Sequence, residues 1–381
     1  MKHNQYNSNF KFVENPIEFN KYTKKDLLQY CLGATLYMPG TKNITDKILN
    51  KGMLGLTSMV MCFEDAIQEE NLSDAEDNVL RHLTKLSESL HSGIITHNDI
   101  PLTFLRVRNP EQFKSFTAKL TSAQAEVLTG FVFPKFYSSN GHEYFRTLEA
   151  VNMELGVSLY GMPILEGKSI ALKETRNDEL SVVRNLVSAY KDLVLNVRVG
   201  ATDFSSIFGV RRGINYSIYD ILTVRDCLSD ILNCFIRAGE DYVVSAPVWE
   251  YFLADKKENI DHLLNYDIHH SLMTRDSIIN EAIDGLLREV ILDKANGFVG
   301  KTIIHPSHSK YVNAMQAVTK EEHEDAVQIL DTSGGVIKSA KSNKMNEINP
   351  HKSWANKIAL RAEAYGVIES EASYIKLFFG K

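Results

Sequence analysis

The sequence predicts an α/β fold, namely an eight-stranded parallel (β/α)8 barrel of the TIM-barrel type. Eight short apolar runs follow one another along the chain, and helical patterns separate most of them. The alternation extends over roughly 280 residues, which is a usual size for such a barrel. A doubly wound open sheet is the competing architecture, but no glycine-rich dinucleotide loop follows an early strand.

The predicted strands are mostly continuous apolar runs, which are typical of strands buried on both faces. They cover residues 34–38, 58–63, 103–108, 130–134, 158–165, 193–200, 242–246 and 301–305. Charged side chains collect where these runs end, at Glu64, Asp65, Arg106, Arg108, Lys135, Glu166, Asp203 and His305. Barrel enzymes place their active sites at the carboxyl ends of the strands, so this clustering favours an enzyme.

Two of the intervening helices have clear sequence signals. Between residues 71 and 93, apolar residues recur at helical spacing, Ser73-Asp74-Ala75-Glu76 predicts a capping box, and Gly93 predicts the helix end. After the strand that precedes Glu166, a second helix has its apolar residues on one side, namely Leu180, Val183, Leu186, Val187 and Tyr190.

The pattern divides the chain into an N-terminal extension at 1–30, a barrel at 31–318 and a helical C-terminal segment at 319–381. In the last segment, helices are predicted at 319–330 and 353–365, with Gly334-Gly335 between them. Lys344-Met345-Asn346-Glu347 is predicted to be a polar loop. We expect the segment to be a lid or a subunit arm, and a plain packing appendage is the alternative. The sequence assigns no role to the extension.

The composition excludes several classes of protein. The chain has 381 residues, of which 44% are hydrophobic, and its net charge of -6 comes from intermixed acids and bases. No broad basic face favours nucleic acid as a partner, and acidic substrates would need local basic groups. No stretch of about 18 apolar residues predicts a membrane span, and the start of the chain lacks the apolar core of a signal peptide. A cytoplasmic protein is therefore expected.

The cysteines and histidines do not predict a metal site. Cys31, Cys62, Cys227 and Cys234 form no CxxC pair, and the gap between the last two suits one buried helix face. We expect reduced thiols in the core, as is usual in a cytoplasmic protein. The histidines show no metal-ligand spacing, and His305 is expected to be a hydrogen-bonded turn residue before Pro306.

The most informative feature is a pair of acids at the ends of two apolar runs, Glu166 and Asp203. If the runs are consecutive parallel strands, they lie about 4.7–4.9 Å apart. Both carboxylates can then reach one Mg2+ ion at about 2.0–2.1 Å. Gly167 and Gly200, beside the acids, would leave room for backbone, water or substrate. The alternative is that each acid only begins the following helix, where negative charge is favoured.

Seven short segments with a common pattern occur in order between about residues 33 and 315. They are Leu36-Tyr37-Met38-Pro39-Gly40, Phe63-Glu64-Asp65-Ala66, Arg106-Val107, Phe133-Pro134-Lys135, Ile164-Leu165-Glu166, Gly200-Ala201-Thr202-Asp203-Phe204, and Gly300-Lys301 with Ile304-His305-Pro306. Together they resemble the citrate lyase beta subunit family of carbon-carbon bond lyases, which includes malyl-coenzyme A lyases and beta-methylmalyl-coenzyme A lyases. The chain departs from that pattern at Cys62, Arg108 and Thr202, so we expect an altered substrate pocket.

Three further segments look like a divergent branch of that family, found beside tellurium-resistance and stress-response genes. They are Phe208-Gly209-Val210-Arg211-Arg212, Ala246-Pro247-Val248-Trp249-Glu250 and Lys344-Met345-Asn346-Glu347. The resemblance to this branch names no substrate.

The family resemblance implies a role for several residues at the strand ends. Glu166 and Asp203 would hold Mg2+, with water and substrate oxygens completing an octahedron. Arg106 would bind a substrate carboxylate through two parallel hydrogen bonds, and a salt bridge that closes the barrel mouth is the alternative. Glu64 and Asp65 would orient the waters of the metal or Arg106, or else cap the next helix.

The resemblance also implies a proton donor and an anion-binding group. In the family, an acid from the C-terminal segment, often of a neighbouring subunit, reaches the site. Glu347 stands at the matching position, which implies that it is the general acid/base and that the protein is a homo-oligomer. Lys135, Arg211 and Arg212 would add positive charge for an anionic substrate. Alternatively, Lys135 forms an ion pair at the barrel mouth and the two arginines are a solvated helix start.

The expected function is that of a Mg2+-dependent lyase or aldolase. It would make or break a carbon-carbon bond in a small carboxylated beta-hydroxy acyl compound, either free or as a coenzyme A thioester. Cleavage of the carbon-carbon bond beta to a carbonyl leaves an enolate, whose negative charge a divalent cation stabilises as a Lewis acid. A thioester hydrolase that uses the same site is the nearest enzymatic alternative. A barrel without activity that binds an anionic metabolite or a partner protein is the alternative from another class.

Overall fold

Eight parallel strands form a barrel in the computed structural model, which describes residues 1–239, 242–252, 278–339 and 342–380. The strands are β1 (Ala34–Pro39), β2 (Ser58–Cys62), β3 (Leu102–Arg106), β4 (Gly130–Phe133), β5 (Tyr160–Leu165), β6 (Val197–Val199), β7 (Val244–Ser245) and β8 (Lys301–Ile303). They follow the order β7-β6-β5-β4-β3-β2-β1-β8, and a parallel bridge between Ala246 and Lys301 joins the two ends. The predicted (β/α)8 barrel is therefore confirmed, and each predicted strand overlaps an observed one.

The hydrogen-bonded ladders of the barrel differ in length. The β1–β2 ladder and the β2–β3 ladder each contain five residue pairs. The β5–β6 ladder and the β6–β7 ladder each contain two pairs. The wall formed by β1 to β3 is thus more extensively hydrogen bonded than the wall around β6 and β7.

Helices cover the outside of the barrel and form most of the C-terminal segment. The α-helices span Lys25–Leu28, Thr45–Leu49, Leu72–His91, Pro110–Thr117, Ser122–Glu126, Gly141–Leu155, Lys168–Ala171, Lys173–Ala189, Ala201–Ile207, Leu222–Phe235, Glu281–Ala295, Ser309–Met315, Lys320–Asp331, Ile348–Tyr365 and Ser373–Phe379. Short 3-10 helices span Glu69–Asn71, His97–Asp99, Lys191–Leu193, Ile218–Asp220 and Pro306–His308. Among the described residues, no helix has both the length and the apolar character needed to span a membrane.

The two helices with clear sequence signals both form. The helix Lys173–Ala189 buries Leu180, Val183, Leu186 and Val187, as expected from their spacing. The helix Leu72–His91 ends just before Gly93, but the predicted capping box is wrong. Its N-cap is Asn71, so the serine lies inside the helix, and the Glu76 carboxylate instead binds Gln112 and Lys119.

The four cysteines are free and buried, which confirms the expectation of unpaired core thiols. Cys227 and Cys234 both lie on the helix Leu222–Phe235, and both side chains face the core. Their seven-residue spacing therefore reflects one buried helix face.

The C-terminal segment contains two packed helices, Lys320–Asp331 and Ile348–Tyr365, and a hairpin between them. The hairpin consists of the antiparallel strands β10 (Val336–Lys338) and β11 (Met345–Glu347), whereas β9 (Val318–Thr319) pairs with β12 (Val367–Ile368). The prediction of a polar loop at Lys344–Glu347 is therefore wrong. The buried Asn346 amide donates a hydrogen bond to Asp325 Oδ1 at 3.0 Å, which anchors this polar strand to the neighbouring helix.

The C-terminal segment packs against the amino ends of the barrel strands. The Tyr365 hydroxyl donates a 2.6 Å hydrogen bond to the carbonyl of Tyr30, just before β1. The N-terminal extension binds both parts: its Val13 amide donates to the Val367 carbonyl, and the buried His3 ring stacks on Tyr365 and contacts the Cys31 carbonyl through Nε2. Within one chain, this segment lies at the end of the barrel opposite the carboxyl ends of the strands.

Candidate active site at the carboxyl ends of the strands

The two acids singled out in the sequence lie beside each other at the carboxyl ends of adjacent strands. Glu166 directly follows β5, and Asp203 lies in the first turn of the helix Ala201–Ile207, after β6. Glu166 is 4% exposed. Burial and the neighbouring charge of Asp203 raise the pKa of Glu166 to about 8, and burial also raises the pKa of Asp203. A cation between the two carboxylates would offset this repulsion.

Two glycines shape the space around the acid pair. A Cβ atom on Gly200 would lie 2.1 Å from Glu166 Oε2, and one on Gly167 would lie 2.1 Å from Tyr137 Cε1. Any larger residue at Gly200 would therefore collide with the carboxylate itself. Gly200 thus leaves room for the Glu166 carboxylate, and Gly167 leaves room for the Tyr137 ring.

The acid pair fits a magnesium ion. Among the described residues, no group of three or more His, Cys, Asp or Glu side chains could hold a metal. Mg2+ is commonly bound through only one or two protein carboxylates, and water or substrate oxygens fill its other positions. Glu166 and Asp203 are hence the residues that would hold the ion.

An ionic cluster lies beside the acid pair, formed by residues at the ends of β2, β3 and β4. Arg106 Nη1 lies 3.1 Å from Glu64 Oε2, and Nη2 lies 3.5 Å from Asp65 Oδ2. Lys135 Nζ contacts Glu64 and lies 3.4 Å from Asp65 Oδ1. The ion-pair alternatives for Arg106 and Lys135 are thus observed, whereas neither acid caps the next helix, whose N-cap is Asn71.

Lys135 also positions Glu166 through its backbone. Its φ of 46° lies in the left-handed region, which is uncommon for a residue other than glycine. In this conformation the Lys135 amide donates a 2.8 Å hydrogen bond to Glu166 Oε1. Strained backbone of this kind is concentrated at functional sites, where the surroundings hold it in place.

Cys62, which stands where the resembling family often has an acid, supports the ionic cluster from below. Its Sγ accepts hydrogen bonds from Arg106 Nε at 3.1 Å and from the Glu64 amide at 3.2 Å. The thiol is 1% exposed, so it holds the arginine without facing solvent.

A pocket of about 680 Å3, including its mouth, opens above the acid pair. Its lining residues are Tyr37, Asp65, Arg106, Ile164, Glu166, Arg198, Val199, Gly200, Ala201, Thr202, Asp203, Val248, Thr302 and Ile304. The structure thus brings together the predicted metal ligands, Arg106 and Asp65 in one cavity. Glu64 and Lys135 lie just behind this wall, bound to Arg106 and Asp65.

Arg198 is a lining residue that the sequence analysis did not single out. It lies on β6 and is 1% exposed, with its guanidinium against the Tyr37 ring at 5.4 Å. Its Nη2 donates to Thr302 Oγ1 at 2.7 Å, and its Nη1 lies 3.5 Å from Thr35 Oγ1. The available signal was an arginine inside a predicted strand whose only other polar residue is Asn196.

The other predicted basic residues lie outside this wall. Arg211 is exposed. Arg212 is 4% exposed, forms ion pairs with Glu250 and Glu289, and stacks on Trp249 at 4.7 Å. Arg211 is solvated but lies in a loop, and Arg212 is buried, so the alternative of a solvated helix start is wrong for both residues.

Glu347 is remote from the acid pair, and His305 serves in a turn. Glu347 is exposed and immediately precedes the helix Ile348–Tyr365, whose far end reaches the amino end of β1, so it does not line the described pocket. His305 Nδ1 accepts from the Ser307 amide at 3.3 Å, as expected for a turn residue. His269 and His270 lie outside the described residues.

Comparison with known proteins identifies the family. No curated protein matches the chain. Residues 26–367 match the family described as carbon-carbon bond lyases of the TIM-barrel fold.

Several solved structures are similar to the chain at low sequence identity. The CitE protein of Mycobacterium tuberculosis, in complex with magnesium, acetoacetate and coenzyme A, is 16% identical, with a TM-score of 0.49 and coverage of 87% of this chain and 97% of that chain. The magnesium/glyoxylate complex of Haloferax volcanii malate synthase is 11% identical, with a TM-score of 0.49 and coverage of 91% and 97%. The citrate lyase beta subunit of M. tuberculosis with oxaloacetate and magnesium is 17% identical, with a TM-score of 0.40 and coverage of 73% and 94%. Since the family match extends over most of its length, the chain belongs to the TIM-barrel family of carbon-carbon bond lyases.

Proposed function

We propose that the protein is a Mg2+-dependent lyase or aldolase that makes or breaks a carbon-carbon bond in a small carboxylated beta-hydroxy acyl compound. The substrate is either the free acid or its coenzyme A thioester. The observation that carries this proposal is the pair formed by buried Glu166 and half-buried Asp203, in a pocket that also presents Arg106. Membership of the family supports the reaction class.

Each residue of the pocket has a separate role in the proposed reaction. A bound Mg2+ ion would supply Lewis-acid stabilisation of negative charge on a substrate oxygen. Glu166 and Asp203 hold the ion, and the Lys135 amide fixes the orientation of the Glu166 carboxylate. Arg106 presents a planar cation to the substrate from the pocket wall, while Glu64 and Asp65 hold its guanidinium in place.

Glu347 is the proposed general acid/base, and we place it in the pocket of a neighbouring subunit. Two observations support this arrangement. The residue is exposed on a hairpin, and its own chain packs the C-terminal segment at the opposite end of the barrel. A homo-oligomer in which the segment acts as a subunit arm would supply the missing proton donor.

Metal binding tests the core of the proposal. Glu166→Gln and Asp203→Asn should each weaken Mg2+ binding in isothermal titration calorimetry without changing the circular dichroism spectrum. Glu149→Gln is the matched control, because Glu149 is exposed on an outer helix. Unchanged Mg2+ affinity in both folded variants would remove the pair as ligands.

Product analysis tests the reaction class. Purified protein with Mg2+ is incubated with a panel of carboxylated beta-hydroxy acyl compounds and their thioesters, and the products are measured by mass spectrometry. Formation of an aldehyde or keto acid supports a lyase. Release of the thiol alone identifies a thioester hydrolase and refutes carbon-carbon cleavage.

Complementation tests the position of the acid. Glu347→Gln should abolish turnover while leaving Mg2+ affinity intact. Mixing Asp203→Asn protein with Glu347→Gln protein should restore part of the activity in mixed oligomers. Full activity of Glu347→Gln excludes it as the acid/base, and verified mixed oligomers without activity exclude action between subunits.

A further inference from the structure

Arg198 is a buried cation that, unlike Lys301, Arg106 and Lys135, has no acidic partner among the described residues. Lys301 is held by Glu289 and Asp293 at 2.9 and 2.8 Å. Arg106 and Lys135 share Glu64 and Asp65. The Arg198 guanidinium faces the Tyr37 ring, and its hydrogen-bonding partners among the described residues are the two threonine hydroxyls. Its buried Nε has no hydrogen-bond partner in the described part of the chain.

Burial of an arginine in this position destabilises the folded protein. The guanidinium stays protonated at any physiological pH. Burying a charge without a counterion costs several kcal/mol even after the protein relaxes. The hydroxyls of Thr35 and Thr302 are neutral acceptors and offset only part of that cost. Among the described residues, no anionic partner therefore balances the charge of Arg198, and a bound anion would do so.

We propose that Arg198, positioned by the hydroxyls of Thr302 and Thr35, forms a carboxylate-binding subsite on the floor of the pocket. This inference rests on the proposed function and deepens it. The substrate would place one carboxylate on Arg198 and direct its reacting end to the metal held by Glu166 and Asp203. Arg198 is then a specificity-determining residue, which selects substrates that carry a carboxylate at the end remote from the metal.

The barrel geometry places this subsite beneath the metal pair. In the β5–β6 ladder, Arg198 pairs with Ile164, two residues before Glu166. Two strand residues correspond to roughly 6.6 Å along the strand. Arg198 also reaches across the interior from β6 to Thr35 on β1 and Thr302 on β8. A short molecule can therefore contact the floor with one end and the metal pair with the other.

The charges around the pocket favour an anion of this kind. The carboxylates are Glu64, Asp65, Glu166 and Asp203, and the cations are Arg106, Lys135 and Arg198. A divalent cation would reverse the small negative excess and leave the site positive. Since Arg106 and Lys135 are already paired, Arg198 is the cation whose charge is least compensated by the protein.

Calorimetry with pairs of isosteric ligands tests the subsite directly. The probes are malonate, succinate and glutarate, each compared with its mono-amide, which has a similar shape but one charge less. Wild-type protein with Mg2+ should bind at least one dicarboxylate more tightly than its mono-amide. Arg198→Gln should reduce that preference by roughly 10- to 150-fold, the loss expected for a hydrogen-bonded charged group. Arg198→Lys should lose part of it, because lysine keeps the charge but not the planar fork.

Controls separate the subsite from folding and from the metal site. Arg146→Gln removes one exposed positive charge on an outer helix and should leave the preference unchanged. Thr302→Val removes the hydroxyl that accepts a hydrogen bond from Arg198 Nη2, so it should also reduce the preference for the dicarboxylate. This variant provides the test if Arg198→Gln does not fold. Mg2+ affinity, measured separately, should be similar in all of these variants.

Each outcome decides between the two proposals. If wild-type protein binds no Mg2+, the proposed function fails, while titrations without metal still measure the role of Arg198. If Mg2+ binds and the preference for dicarboxylates persists in folded Arg198→Gln and Arg198→Lys, the subsite is refuted and the metal-dependent function stands. Failure of wild-type protein to bind any of the dicarboxylates also refutes the subsite.

Discussion

Gly200→Ala isolates the steric requirement of the proposed metal site. Gly200 has a φ of -102°, which any residue can adopt, so the backbone itself does not require glycine. The added Cβ would lie 2.1 Å from Glu166 Oε2 and 2.5 Å from Glu166 Cβ. Rotation of the carboxylate relieves the first contact but not the second, so Glu166 must move as a whole.

The magnitude follows from the size of this displacement. Overpacking of a filled site costs about 1–3 kcal/mol of folding free energy. Displacing a residue that orients a metal ligand typically weakens metal binding by about 10- to 100-fold. Because the alanine displaces a ligand directly, we expect Mg2+ affinity to fall by at least about 10-fold.

The assay is Mg2+ titration calorimetry at constant temperature, combined with thermal unfolding followed by circular dichroism. Gly213→Ala is the matched control, since its Cβ would lie 3.5 Å from the nearest atom of Tyr216, an ordinary contact. A folded Gly200→Ala protein with wild-type Mg2+ affinity would refute the reasoning, because the ion would then not depend on the observed position of Glu166.

Two further predictions concern the stability of the fold. Arg212→Met leaves the buried Glu289 without one of its cations and should lower the free energy of unfolding by about 3–5 kcal/mol, measured by denaturant titration; an unchanged midpoint contradicts this. Burial lowers the pKa of His3 from 6.5 to about 3, so the folded protein keeps this ring neutral. Stability is therefore fully present above pH 6.5 and should fall by up to about 4–5 kcal/mol as the pH drops toward 3. His3→Phe should flatten that slope, and an identical slope excludes the histidine as its source.

The barrel was predictable because its signal is local and repeated. The run around Ile164 and the run around Val199 are apolar for several residues, as strands buried on both faces must be. Their ends could be located because Glu166 and Asp203 interrupt the apolar character. The adjacency of the two acids then follows from parallel pairing of consecutive strands.

Other parts of the structure depend on distant partners and could not be predicted in this way. Arg212 stands in a polar stretch, and its burial depends on Glu289, which lies 77 residues later. Asn346 forms a strand because Asp325 and the facing strand β10 satisfy its polar groups, a pairing that alternation of apolar residues does not reveal. The capping-box prediction failed because the helix begins two residues earlier than Ser73 implied.

Arg198 was missed for a different reason. A single arginine within a strand signals an edge, a bulge or a buried charge, and sequence alone does not separate these. Its role becomes apparent only when Thr302 on β8 and Thr35 on β1 are found to be its partners, since both strands are distant from β6 in the sequence.

The unequal ladders of the barrel have a consequence for its local dynamics. Segments with few backbone hydrogen bonds open most readily, so amide exchange with deuterium should begin around β7 and β6 and reach β2 last. Asp203 follows the loosely held strand β6, whereas Arg106 ends the firmly held strand β3. An ion shared by Glu166 and Asp203 would link β5 to β6 at a point where the backbone provides only two residue pairs. Metal occupancy would then slow exchange in this half of the barrel and leave the other half unchanged.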